Sequence, residues 1–164
     1  MRRIRVLFVL ALAAACALPS VTASAPISDF TFATDQGVLR LDSLRGKVVY
    51  LDYWASWCVP CRQSFPWMNE MHSRYGDKGL VIVAVNVDRD AAEARSFLTQ
   101  YPAAFIVAYD PEGKTAKALA LKGMPSSFVI DRQGQIVGTH VGFREAAKAG
   151  IAEQIKALLG VPAR

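Results

Sequence analysis

Two cysteines three residues apart, in Trp57-Cys58-Val59-Pro60-Cys61-Arg62, are the residues best suited to chemistry in this 164-residue chain. Their spacing sets both sulfurs on one side of a first helical turn, close enough to bond, so the pair can cycle between dithiol and disulfide. The unpaired amides and positive dipole end of the predicted helix lie at Cys58, favouring its thiolate and making it the attacking sulfur. Cys61 is then the resolving thiol. Pro60 suits that first turn because its missing N–H would have had no helical acceptor. Trp57 is placed to shield the sulfurs and frame the surface a substrate meets, and Arg62 reads as a solvated residue at the helix start.

A second group with chemical potential is Asp52, which sits inside the apolar stretch Val48-Val49-Tyr50-Leu51-Asp52-Tyr53-Trp54. Burial disfavours the charged form of a carboxyl and raises its pKa. A hydrogen-bonded structural Asp is one reading. The preferred one makes Asp52 the proton acceptor for Cys61, one strand end away. A third feature is Gly123-Met124-Pro125-Ser126-Ser127, ahead of a predicted strand, where proline is tolerated. Sequence alone does not establish the isomer of the Met124-Pro125 bond.

Metal binding is the rival from another class, and it finds few ligands. His72 falls on a helix and His140 reads as an ordinary strand residue, and no second cysteine pair completes a zinc site. No metal and no cofactor are expected. Gly113-Lys114-Thr115 lacks the leading glycine of a phosphate loop, since Ala108 stands there, and reads as a turn.

These groups need elements to position them. Ile27, Phe30 and Phe32 with Gly37 to Leu41 suggest a short N-terminal hairpin, followed by a turn through Gly46. Apolar runs predict buried strands over Lys47 to Trp54, Leu80 to Val87 and Phe105 to Tyr109. Helices are predicted over about Val59 to Tyr75, with Phe65, Met68 and Met71 inward and Pro66 as a kink, and from the N-cap Asp90 to about Gln100. A short helix reaches about Leu121 after the turn Asp110-Pro111-Glu112-Gly113. Ser127 to Ile130 and Ile136 to Val141 pair through Asp131-Arg132-Gln133-Gly134. A last helix covers about Arg144 to Leu159. The order βα, βα, βα, ββα implies an α/β fold with a central mixed sheet and helices on both faces.

The composition, 52% hydrophobic and 20% charged, is that of one packed domain and excludes disordered, collagenous and coiled-coil chains. The formal charge of +5 suggests an acidic partner such as nucleic acid until the charges are located. Arg2, Arg3 and Arg5 precede the apolar run Val6 to Leu18, and the first acid is Asp29. That layout is an export leader over residues 1–23, leaving a near-neutral domain over 24–164 and no nucleic-acid partner. The run has 13 residues, whereas spanning a bilayer takes about 20. Cleavage after Ala23 is favoured; cleavage after Ala25, lipidation at Cys16 and retention as an anchor are the alternatives. Each puts the domain outside the cytoplasm, in the periplasm or on the outer face of the membrane, where disulfides persist. With Cys16 in the leader, any bridge within the mature chain is the working one.

The stretch Asp52-Tyr53-Trp54-Ala55-Ser56-Trp57-Cys58-Val59-Pro60-Cys61-Arg62 resembles the active-site signature of the thioredoxin superfamily. Met124-Pro125 is similar to its cis-proline loop, and Pro66 to its kink proline. An extra αβ unit, Asp90 to Tyr109, resembles the TlpA/ResA branch of exported thiol-disulfide oxidoreductases. The resemblance implies a thioredoxin-like fold, nucleophilic Cys58, resolving Cys61, and a loop at Met124 and Pro125 that binds substrate backbone as an added strand. Trp57, Val59, Pro60, Met124 and Pro125 are then the substrate-facing residues. Disulfide-containing proteins are the implied substrates and a membrane-bound thiol the electron donor, with anchoring through the N-terminus an option. Branch members commonly carry Asn where Asp52 stands. Members devoted to cytochrome c maturation often carry an acid where Ser64 stands, which points away from apocytochrome. Val59 and Pro60 offer no charge to the thiolate, so reduction of substrates is expected, with disulfide oxidation or isomerisation as the alternative.

Overall fold

The computed structural model describes residues 29–162. The leader with its cleavage sites and Cys16 lies outside them. The elements are β1 (Thr31–Thr34), β2 (Gly37–Arg40), β3 (Val48–Trp54), α1 (Cys61–Tyr75), β4 (Leu80–Asn86), α2 (Ala91–Gln100), β5 (Ile106–Tyr109), α3 (Lys114–Ala118), β6 (Ser126–Ile130), β7 (Ile136–Val141) and α4 (Glu145–Leu159).

All seven strands form one sheet in the order β2-β1-β5-β4-β3-β6-β7. β3, β4 and β5 run parallel, joined by α1 and α2, while every other neighbouring pair is antiparallel. β3 lies inside the sheet between β4 and β6, and all of its residues are buried, in keeping with its mostly apolar run. Its side chains alternate between two cores. Val48, Tyr50 and Trp54 join α1, α2 and α4 on one face, and Val49, Leu51 and Tyr53 join Phe30, Phe32, Leu41 and residues flanking and within α3 on the other. Among the described residues, no helix is long and apolar enough to cross a membrane.

Local chemistry explains where the elements stop. Asp90 caps α2, its side chain accepting from Ala92 N at 2.8 Å. The Asp110 carboxylate accepts from the amides of Lys114, Thr115 and Ala116, holding the start of α3. That helix ends at Ala118, short of the expected Leu121, because Ala120 takes φ +49. β5 is less buried than its sequence suggests, with only Ala108 fully enclosed. α1 runs as one helix through Pro66 but begins at Cys61, two residues later than the spacing suggests.

Candidate active site

The late start of α1 changes the setting of the first cysteine. Cys58 precedes the helix, in a turn where its N–H donates to Ala55 O at 3.1 Å. Its amide is therefore not one of the free helical donors. Instead Cys61 N–H approaches both the Cys58 carbonyl, at 3.2 Å, and the Cys58 sulfur, at 3.3 Å. This local amide, and not the dipole end of α1, is the donor the fold directs at the Cys58 sulfur. Pro60 forms the N-cap, with Gln63 and Ser64 amides donating to its carbonyl.

Cys58 and Cys61 are joined in a disulfide. Cys58 is 3% exposed and Cys61 fully buried, so Cys58 is the more accessible of the two. The flanking Trp57 and Val59 are 64% and 61% exposed. These large apolar side chains form an exposed rim beside the enclosed disulfide. Arg62 is exposed, and Met68 and Met71 are buried in the core, as expected.

The sheet register places the third feature at the same end of the sheet. Tyr53 lies opposite Ser126, so the end of β3 and the start of β6 leave the sheet together. The Met124-Pro125 bond is cis, and Met124 packs against the core cluster that holds both cysteines. Ser126 Oγ donates to Gly123 O at 2.7 Å, and Gly142 N donates to Pro125 O at 2.7 Å, tying the loop to β7.

Asp52 is fully buried on the Tyr50–Trp54 face of β3, the face covered by Cys58, Cys61 and Phe65. Neither of its carboxyl oxygens has a hydrogen-bond partner among the described residues. Burial holds its pKa well above the usual carboxylate range. Tyr50 is raised as well, by burial first and then by the neighbouring Asp52.

One part of the site is invisible to motif reading. Asp88, just past the end of β4, accepts Ser56 N–H at 2.8 Å, Ser56 Oγ–H at 3.1 Å and the Asn86 amide at 2.7 Å. Glu93 also lies 3.3 Å from Ser56 Oγ. The buried Asp88 carboxylate thus pins the turn that carries Trp57 and Cys58. An acid closing a buried strand was the only signal in the sequence. Asp88→Ala strands the Ser56 and Asn86 donors and is expected to cost about 3 kcal/mol in urea denaturation.

The whole arrangement has relatives. Residues 18–155 match the Redoxin family. The chain is 34% identical over 118 residues to the thiol-disulfide oxidoreductase ResA of Bacillus thuringiensis subsp. konkukian, covering 72% of this chain and 67% of that one. Among solved structures, a protein assigned as thiol:disulfide interchange protein DsbE from Chlorobium tepidum is 50% identical, with a TM-score of 0.80 over 86% of this chain and all of that one. The exposed lipoprotein thioredoxin Etrx1 of Streptococcus pneumoniae is 32% identical, with a TM-score of 0.68 over 79% of this chain and 99% of that one. The chain belongs to the Redoxin family and is a thiol-disulfide oxidoreductase of thioredoxin-like fold with a disulfide between Cys58 and Cys61.

Proposed function

We propose that the protein is an exported reductase of protein disulfides. The observation that carries this reading is the Cys58–Cys61 bridge at the start of α1, with Cys58 outermost and the Cys61 amide aimed at its sulfur. In the reducing direction the Cys58 thiolate attacks a substrate disulfide and forms a mixed disulfide, and one substrate sulfur leaves. Cys61, its proton taken by Asp52, then attacks Cys58 Sγ and releases the second substrate sulfur. The buried, unpartnered carboxyl is suited to that transfer because its raised pKa brings it toward that of a thiol.

Substrate is held along the rim. Trp57, Val59 and Pro60 contact side chains flanking the disulfide, while the loop at Met124 and Pro125 pairs with extended substrate backbone. The residues between the cysteines set direction. Val59 and Pro60 add no cation beside the Cys58 thiolate, so the reduced form gains little over the disulfide and the pair stays reducing. Pro60→His supplies an imidazolium and is expected to move the potential toward oxidation by about 30 mV or more, equivalent to about 1.4 kcal/mol.

The basic and apolar residues from Arg2 to Leu18 serve as the export leader, and the domain works in the periplasm or at the outer face of the membrane. A reductase there needs a supply of electrons, and a membrane-bound thiol protein is the donor. Insulin reduction driven by a dithiol tests the activity. Turbid precipitation of the freed insulin chain is the expected result, and a protein that oxidises reduced peptides without cleaving insulin would contradict the reading.

A further inference from the structure

If Asp52 accepts a proton from Cys61, that proton must leave a closed core before the next cycle. The surroundings of Asp52 offer few ways out. Its neighbour on β4 is Ala84, fully buried, and α4 covers this face with Ile151 and Ile155. α1 contributes Cys61, Phe65 and Met68. On β3 the adjacent residue of the same face is Tyr50, whose buried hydroxyl faces Ser127.

The sheet register opens one polar direction. Asp52 lies directly opposite Ser127 on β6, and Ser127 lies directly opposite His140 on β7. Residues opposite each other share a face, with Cβ atoms about 4.5–5.5 Å apart, within reach of a hydroxyl rotation or one bridging water. The three side chains therefore form a single row across three strands, from the carboxyl in the core to the edge of the sheet. Ser127 is buried, and His140, on the edge strand, is half-buried.

The edge of the row is organised to hold a histidine in one form. Gln154 on α4 donates its amide to Val137 O at 2.9 Å, which turns its carbonyl oxygen toward His140 Nε2 at 3.3 Å. Nε2 must then carry the hydrogen, leaving Nδ1 as the basic nitrogen. Gly138 makes room for this arrangement, since a Cβ there would meet the Gln154 side chain at 2.5 Å. The charged groups of α4 are otherwise engaged: Lys148 pairs with Glu145 and Lys156 with Glu153.

We propose that Ser127 and His140 are the proton outlet of Asp52. This rests on the reading of Asp52 as proton acceptor. When Cys61 attacks Cys58 Sγ, the Cys58–Cys61 bond forms, the Cys58–substrate bond breaks, and the substrate sulfur departs with the electron pair and takes a proton from solvent. The Cys61 proton moves to Asp52. It then passes to Ser127 Oγ while the Ser127 proton passes to His140 Nδ1, and the imidazolium releases a proton to water. One proton enters the row and one leaves. No oxidant or reductant beyond the substrate and the dithiol takes part.

The reduced full chain, mixed with 5,5′-dithiobis(2-nitrobenzoate), separates the steps. Attack by Cys58 releases one thiolate, and resolution by Cys61 releases the second. Burial favours a proton already held on Asp52, and the outlet must remove it before Cys61 can transfer its own, so at neutral pH His140→Ala and Ser127→Ala are expected to slow the second release about tenfold and to leave the first unchanged. Added imidazole restores the second release in His140→Ala. Unchanged melting temperature and redox equilibrium in both variants complete the expected result, and His140→Gln serves where the alanine variant folds poorly. A second release that stays fast in both variants while Asp52→Asn slows it would overturn the outlet and leave the role of Asp52 standing. A slow release in His140→Ala that imidazole fails to restore assigns His140 to packing and also overturns the outlet. A fast second release in Asp52→Asn removes the proton acceptor itself, and the outlet with it.

Discussion

Exchanging Cys58 for Ser is expected to abolish turnover, by on the order of a thousandfold or more, while exchanging Cys61 for Ser stalls the reaction halfway with the substrate attached. The asymmetry follows from the setting of the two sulfurs. Cys58 lies beside the exposed rim with the Cys61 amide 3.3 Å from its sulfur, and Cys61 is fully buried. Cys61 therefore cannot stand in for a missing Cys58, because no substrate disulfide reaches it. Cys58 can act without Cys61, because attack needs only the outer sulfur. Mass spectrometry of each variant incubated with a disulfide-bonded protein reads the difference as a covalent adduct. Cys61→Ser accumulates an adduct on Cys58, and Cys58→Ser forms none. A persistent adduct on Cys61 in the Cys58→Ser variant would reverse the assignment. The same trap, applied to an extract, identifies the physiological partners of the rim formed by Trp57, Val59 and the Met124-Pro125 loop.

Asp52→Asn is expected to have two large effects of opposite sign. The first is on stability. Burial raises the folded pKa of Asp52 well above its ordinary value, so the native state holds a proton that the unfolded chain has released. Where the native state binds more protons, stability falls as pH rises. The penalty begins near pH 4, grows as pH rises toward the folded pKa, and is absent in acid, where the carboxyl is protonated folded or unfolded. Asn keeps the shape and removes the ionisation. The variant should be more stable at neutral pH, on the order of a few kcal/mol, and indistinguishable from the parent near pH 3. The second effect is on catalysis. The ionised form of Asp52, whose share grows as pH rises, is the form that accepts the Cys61 proton, and without it resolution of the mixed disulfide slows by about tenfold to a hundredfold at neutral pH. Chemical denaturation at several pH values measures the first effect and stopped-flow kinetics the second. A destabilised variant at neutral pH would mean that Asp52 makes stabilising contacts after all, and an unchanged rate would reject its role as base.

Much of this site is legible in the sequence because its signals are local. The Val48–Trp54 run can only be a buried central strand, so the acid within it had to be a buried acid; the Cys-x-x-Cys pair had to follow at the strand end. Asp90 as a cap and the hairpin of β6 and β7 come from turn chemistry that acts within a few residues. The start of α1 is harder. Pro60 has helical backbone angles, and its carbonyl accepts the first i to i+4 bond, from Ser64, so it is the N-cap and Cys58 lies outside the helix. What lies furthest from local reading depends on register. Asp88 meets Ser56 only because β3 and β4 run parallel and end together, and the row from Asp52 to His140 exists only in the observed pairing of three strands. A slip of one residue would turn Ser127 and His140 to opposite faces. His140 accordingly looks like an ordinary strand residue until β6 and β7 are aligned.

The central claim is that the dithiol of Cys58 and Cys61 donates electrons to substrates. Its most direct test is the redox equilibrium of the purified protein against glutathione, with the oxidised and reduced forms separated after acid quenching. A potential near −270 mV, roughly the thioredoxin value, is predicted from the uncharged Val59-Pro60 pair. A potential near −120 mV, about that of a dedicated disulfide-forming oxidant, would contradict it.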